Sequence, residues 1–243
     1  MNLEKKNQIR EGKSKVLFAT DNQDYIIQYF KDDATAFNAL KKGQIKDKGP
    51  INNSVSWKVF RFLEKHGVQT HLVEKISDRE MITRNLEIIP VEVVLRNRAT
   101  GSICKRLGIE KGKPFTPALV EFFYKSDELG DPLIGEGHIA YFKWASKDEL
   151  NQMVENTLKV NAILKKVFAD IGLELIDFKL EFGRDRSGKL YLADEFTADG
   201  CRLWDLKTGE SMDKDRFRQD LGGVDEAYLE VSNRLQTYFE GKL

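Results

Sequence analysis

The clearest hydropathy pattern in the chain lies between Leu175 and Phe196. From Leu175 to Gly183, charged Asp177, Lys179 and Glu181 alternate with apolar Phe178, Leu180 and Phe182, which predicts a strand with one polar and one buried face. A second β-rich run, Lys189 to Phe196, follows Ser187-Gly188, a dipeptide suited to a two-residue hairpin turn. Folding the chain symmetrically about that dipeptide puts Asp194 directly opposite Glu181. Arg10 to Phe30 predicts two short strands about the turn signal Asp21-Asn22-Gln23-Asp24. The run from Phe30 to Gly43 then predicts a change from strand to short helix, and Lys46 to Gly67 a longer helix. Val55, Val59, Phe60, Phe62 and Leu63 form the apolar face of that longer helix, and Gly67 is its natural C′ residue. Ile88 to Ser102 opens as a strand and ends in a polar turn, after which Ser102 to Gly108 reads as a short helix. Ser146, Asp148 and Glu149 fit a capping box. It opens a helix in which Leu150, Met153, Val154, Thr157, Leu158, Leu164, Val167, Phe168 and Ile171 recur at helical spacing until Gly172. Thr197 to Asp205 reads as a loop able to fold over a site on the preceding strand, mobile around Ala198-Asp199-Gly200. Met212 to Gly223 predicts a helix, and Ala227, Tyr228, Val231, Leu235 and Tyr238 a closing amphipathic one.

Composition narrows the class. At 243 residues the chain can bury a substantial core, in one large domain or two packed lobes. Lys plus Arg and Asp plus Glu are both 39, so no global basic field points to nucleic acid. No window approaches the apolar length of a membrane span, and the N-terminus lacks an apolar signal core, so a cytoplasmic location is expected. Cys104 and Cys201 lie far apart, and neither they nor His66, His71 and His138 show metal-ligand spacing, which fits reduced thiols.

Three stretches carry candidate chemistry. Opposed carboxylates at Glu181 and Asp194 would repel across a strand pair. A cation is therefore expected between them, and two hard oxygen ligands beside Lys179 suggest Mg²⁺ holding a nucleotide's phosphates. The competing reading is a solvated sheet face with its charges paired to lysines. Gly12, with Lys13 and Lys15 following just before the first strand, could let backbone approach phosphates, or could be an ordinary turn. Arg96 and Arg98 before a Gly101-Ser102 turn at a helix N-terminus suit a phosphate monoester; the alternative is surface arginines beside a helix cap. Arg216 and Arg218 read as a solvated face on charge alone.

Taken together these stretches resemble the SAICAR synthetase family, the phosphoribosylaminoimidazole-succinocarboxamide synthases of purine (IMP) biosynthesis. IIPVEVVLRNRATGS and LIDFKLEFG match the family's two signatures. EGKSK from Glu11, FKDDATAFN from Phe30, NNSVS from Asn52, ADEF from Ala193, CRLWD from Cys201 and DKDRFRQ from Asp213 follow in the family's order. Two departures are Thr100, where alanine is common, and Thr197-Ala198, where Ser-Pro is common; Ala198 is expected to loosen the segment bearing Asp199.

The resemblance implies a two-lobed α+β fold, with a β-rich lobe over residues 1–85, a larger α+β lobe over 86–243, and ATP in the cleft. It implies an ATP-dependent amide-forming ligase that condenses 5-amino-1-(5-phosphoribosyl)imidazole-4-carboxylate with L-aspartate, using Mg²⁺. On matching positions, Gly12, Lys13, Lys15, Glu181 and Asp194 would hold nucleotide, the last two through the metal. Arg96, Ser102 and Arg202 would bind the ribotide phosphate, and Asp177 and Lys179 would act at the reacting carboxylate. Asp199 and Arg218 are further substrate-site candidates. A homo-oligomer with small-molecule substrates, binding neither nucleic acid nor membrane, is expected. A small-molecule kinase or a nucleotide-sensing binding module are the competing functions.

Overall fold

The computed structural model describes residues 3–36 and 41–243. In chain order its first half contains β1 (Lys5–Glu11), β2 (Lys15–Thr20), β3 (Tyr25–Phe30), β4 (Asp33–Ala36), β5 (Lys41–Gln44), α1 (Lys48–Lys65), β6 (Leu72–Lys75), β7 (Glu80–Arg84), β8 (Glu87–Arg98) and α2 (Ser102–Leu107). There follow β9 (Pro114–Tyr124), β10 (Leu133–Ile134), α3 (Glu136–Tyr141), α4 (Lys147–Asp170), β11 (Leu173–Arg184), β12 (Leu190–Ala193), β13 (Cys201–Asp205), α5 (Asp215–Arg218) and α6 (Val224–Phe239). The fold is α+β. One antiparallel sheet runs β1-β2-β3-β7-β6, and a second runs β10-β9-β8-β11-β12 with β13 also on β11.

The alternation in β11 gives the buried apolar face it predicts, but the polar face is not solvated, since Asp177 and Glu181 are buried too. Phe178, Leu180 and Phe182 are buried, and α4 lies against β11 and β8 on that side. The Ser146 hydroxyl accepts from the Glu149 N–H at 3.2 Å while the Glu149 carboxylate accepts from the Ser146 N–H at 2.7 Å, completing the capping box. Leu150, Met153, Leu164, Val167 and Phe168 face the core, whereas Leu158, placed in the same stripe by its spacing, is 43% exposed. One apolar cluster runs continuously through α1, β8, β11, α4 and α6.

The far edge of β11 positions the site. β13 pairs with it from Leu173 to Phe178, and β12 from Glu181 to Arg184. Between those two partners the chain at 194–200 leaves the sheet beside Lys179, whose N–H donates to the Gly200 carbonyl at 2.9 Å. Asp177, Lys179 and Glu181 of β11 line the cavity on the sheet face opposite buried Phe178, Leu180 and Phe182.

Three expectations are corrected. The hairpin register is Glu181 with Ala193 and not Asp194. The turn is longer than two residues: Gly188 sits at φ 82°, and the Asp185 carboxylate accepts from the N–H groups of Ser187 and Lys189 at 2.9 and 3.0 Å. This type I turn with its left-handed glycine shifts the pairing by one. Asp194 lies just past the strand in left-handed conformation, φ 61°. Second, the predicted short helix after Phe30 is a β-hairpin where it is described: Asp33–Ala36 pairs with Lys41–Gln44, the rest of that stretch lying outside the described residues. Burial of Ala34 against Ile45, Ala198 and Tyr228 outweighs the helical propensity of an alanine-rich run. Third, Cys201–Asp205 is a strand and not a loop. Cys201 and Leu203 point into the core, and Ala198 is buried as well.

Candidate active site

The twelve residues that the resemblance assigns to the site line one cavity of about 780 Å³ between the two sheets, namely Gly12, Lys13, Lys15, Arg96, Ser102, Asp177, Lys179, Glu181, Asp194, Asp199, Arg202 and Arg218, whereas Arg98, read with Arg96 as a phosphate candidate, lies outside it and pairs with Glu174 at 2.8 Å. They are not equally free. The Gly12 N–H is spent closing a turn onto the Lys15 carbonyl at 2.8 Å, and the half-exposed Lys13 ammonium pairs with Asp127 at 2.6 Å.

At one end carboxylates and ammonium groups interleave. Lys15 contacts Asp194 at 2.5 Å and Glu195 at 3.2 Å. Lys179 contacts Glu181 at 2.6 Å, Glu92 at 2.8 Å and Asp194 at 3.4 Å, so one ammonium bridges the two predicted metal ligands. Lys125 adds a 2.5 Å contact to Glu181. Burial pushes the Asp194 carboxyl up, but Lys15, Lys179 and Lys125 together outweigh it and hold the group well below the usual carboxylate range. Burial likewise lowers the Lys179 ammonium, and the charges of Glu181, Asp194 and Glu92 more than reverse it. Four carboxylates against three lysines leave one net negative charge. Among the described residues no three His, Cys, Asp or Glu side chains converge on a point. Two carboxylates suffice for Mg²⁺ when phosphate oxygens and water complete its shell, so this all-oxygen, net-negative donor set fits that ion.

At the other end guanidinium groups and carboxylates form a chain. Arg106 and Arg96 share Glu121; Arg96 and Arg202 share Asp177, each at 3.0 Å; Arg202 and Arg218 share Asp215, at 2.7 and 2.6 Å. Asp177 is buried, and its remaining capacity accepts from the Thr100 hydroxyl at 2.7 Å. Four arginines against three carboxylates leave one net positive charge, suited to a phosphate dianion. The Ser102 hydroxyl accepts from Arg106 at 2.7 Å. Gly101, at φ 63°, lets the backbone pass against the Arg202 guanidinium, where an added Cβ would lie 2.9 Å from Nη2.

Asp199 closes the third side. Its carboxylate takes Lys48 at 2.5 Å, Asn52 at 3.0 Å, Tyr228 at 2.8 Å and Lys214 at 3.5 Å. Burial raises its carboxyl, but Lys48 and Lys214 hold it below the ordinary range. Four side chains on α1, α6 and the segment before α5 hold Asp199, which works against the loosening expected from Ala198.

The chain matches the SAICAR synthetase family model over residues 8–235. It is 52% identical to the phosphoribosylaminoimidazole-succinocarboxamide synthase of Magnetococcus marinus over 242 residues, covering 99% of this chain and 100% of that one. The namesake from Caldanaerobacter subterraneus subsp. tengcongensis is 53% identical over 234 residues, 96% and 99% of the two chains. The chain belongs to the SAICAR synthetase family. Its fold matches the crystal structure of the Ehrlichia chaffeensis synthase with a TM-score of 0.92, 45% identity, and coverage of 95% and 98%. A SAICAR synthetase in complex with ADP matches with a TM-score of 0.91, 44% identity, and coverage of 94% and 97%.

Within this SAICAR synthetase family member, the sequence reasoning passed over Glu92, Lys125, Glu195, Lys48 and Lys214, all of which line the cavity. Three of them carried a signal, their places in family motifs: Glu195 in ADEF, Glu92 in IIPVEVVLRNRATGS and Lys214 in DKDRFRQ. Thr100, the departure from the common alanine, adds the hydroxyl donor on Asp177.

Proposed function

We propose that this chain is a magnesium-dependent ligase that condenses ATP, 5-amino-1-(5-phosphoribosyl)imidazole-4-carboxylate and L-aspartate to the succinocarboxamide, ADP and phosphate. The observation that carries it is a single cavity with a carboxylate–lysine cluster at one end and an arginine chain at the other, in a chain about half identical to synthases of that name. The nucleotide belongs in the cleft between the lobes 1–85 and 86–243, its base among the apolar side chains of Ile9, Leu17, Ile26, Leu86 and Ile88. Lys15 stands where the nucleotide's phosphates would end. Glu181 and Asp194 would hold Mg²⁺, which when bound neutralises charge on the transferring phosphoryl group. Arg96, Arg202 and Ser102 hold the ribotide phosphate, with Asp177 keeping both guanidiniums in place.

A carboxylate is a poor electrophile because its leaving group would be oxide. An oxygen of the ribotide carboxylate therefore attacks the γ-phosphorus, the bond to the β–γ bridging oxygen breaks, and ADP departs. The amine of aspartate then attacks the acyl carbon, the acyl C–O bond breaks, phosphate leaves with that oxygen, and the nitrogen gives up a proton. Lys179, whose ammonium lies beside Glu181, Glu92 and Asp194, is placed to orient the reacting carboxylate. Polyanionic substrates suit a cytoplasmic enzyme, and we place this one there as a homo-oligomer; no helix among the described residues is long and apolar enough to cross a membrane. Ribotide labelled with heavy oxygen in its carboxylate tests the chemistry. The label should appear in the phosphate released, and phosphate free of label would overturn the acyl phosphate route.

A further inference from the structure

The arginine chain ends in a turn whose geometry is set by one buried carboxylate with no assigned task. Asp213 is fully buried. Its Oδ2 accepts from the Leu203 N–H at 2.8 Å, and its Oδ1 accepts from the Asp215 N–H at 2.7 Å. Leu203 directly follows Arg202 on β13, and Asp215 receives the Nε of Arg202 at 2.7 Å and the Nη1 of Arg218 at 2.6 Å. The same carboxylate thus ties down the backbone beside Arg202 and the backbone of the residue that grips its guanidinium. A second tie, from the Met212 N–H to the Leu203 carbonyl at 2.8 Å, keeps the two segments side by side but does not orient Asp215.

We infer that Asp213 is a positioning residue for ribotide recognition: by bracing β13 against the first turn of α5, it aims Asp215, and through it the guanidiniums of Arg202 and Arg218, into the cavity. The energetics agree with a positional role. Burial, reinforced by the neighbouring charge of Asp215, pushes the Asp213 carboxyl up to about 6, so at neutral pH its ionised form works against stability. Asparagine, of nearly the same shape, would remove that cost. It would also turn an amide NH₂ toward one of the two peptide N–H groups, setting donor against donor. What asparagine loses is the two-sided brace.

The inference rests on the reading of the Arg96–Arg202 end as the phosphate site, and the two can fail separately. In Asp213→Asn, the KM for ribotide should rise about tenfold or more, the size of a lost charge-assisted contact, while the KM for ATP stays within about twofold and the melting temperature does not fall. In an Asp215→Asn background the same change should add little further, since both residues act through the same pair of guanidiniums. A fall in melting temperature with both KM values rising together would make Asp213 merely structural, and unchanged ribotide KM would overturn the role outright. Arg202→Ala serves as the control: if it leaves ribotide KM unchanged, the phosphate-site reading fails first. Should the asparagine variant not fold, Asp213→Ser, which offers a single oxygen, carries the same comparison of the two KM values.

Discussion

Asp194→Asn separates charge from backbone geometry. Asp194 sits at φ 61°, a conformation that aspartate and asparagine adopt more readily than other non-glycine residues, so the exchange leaves the chain path alone. Simple repulsion between carboxylates predicts that removing one would stabilise the ligand-free protein. The structure predicts the reverse. Lys15 would meet a neutral amide in place of its 2.5 Å carboxylate partner and keep Glu195 at 3.2 Å, while Lys179 retains Glu181 at 2.6 Å and Glu92 at 2.8 Å. The net loss is about one charge-assisted hydrogen bond in a partly buried setting, roughly 2 kcal/mol. For a chain of this size each kcal/mol moves the melting temperature by roughly 2–4 °C, so a fall of about 4–8 °C is expected. Thermal unfolding without nucleotide reads this directly. Titration of the same variant with ATP at saturating magnesium should show affinity weakened by about tenfold or more, as for a lost charged contact. A melting temperature that is unchanged or higher would refute the electrostatic argument, and unchanged ATP affinity would remove Asp194 from the nucleotide end.

Arg96→Ala should weaken ribotide binding by on the order of 2 kcal/mol and leave ATP affinity alone, measured by calorimetry; an equal loss for ATP would move Arg96 to the nucleotide side. Lys48→Met leaves the buried Asp199 carboxylate without its 2.5 Å partner, and denaturant unfolding should show a loss of about 3 kcal/mol or more; a loss under about 1 kcal/mol would mean that Asn52, Tyr228 and Lys214 hold Asp199 alone. Gly101→Ala forces a Cβ to within 2.9 Å of the Arg202 guanidinium, so ribotide KM should rise with the ATP KM unmoved; equal KM values in variant and parent would show that Arg202 can shift freely. Hydrogen bonds from Arg184 hold the Glu149 carboxyl down from 4.5 to about 2, so its contribution to stability is present above the upper value and lost as pH falls through that window. Arg184→Leu should flatten the acid limb of a stability–pH profile there, and an unchanged slope would contradict the pairing.

Periodicity made β11, β8 and α4 legible, because each buries one face against another layer and its sequence must alternate accordingly. The hairpin register was not legible. It depends on Asp185 capping its own turn, and side-chain bonds of that kind leave no trace in a hydropathy pattern. The candidate site was readable where its residues share a strand, as Asp177, Lys179 and Glu181 do, or where a family motif carries them. Lys125 carries no local signal, and Glu92 has only its place in IIPVEVVLRNRATGS: strand pairing sets Glu92 opposite both Phe123 and Glu181, and Lys125, just past β9, reaches the same Glu181. Lys48 likewise meets Asp199 across 151 positions only because α1 packs beside the segment leaving the sheet. β13 was missed because five residues, CRLWD, are too few to separate a strand from a loop when two of the five are charged.

The central claim is that one cavity couples ATP cleavage to amide formation. Purified protein should be given ATP, magnesium, the carboxyaminoimidazole ribotide and L-aspartate, with each substrate omitted in turn and ADP and succinocarboxamide followed together. Stoichiometric formation of both, lost when ribotide, ATP or aspartate is left out, is the predicted result. A phosphorylated ribotide that accumulates equally without aspartate, or nucleotide binding with no turnover in the complete mixture, would contradict it.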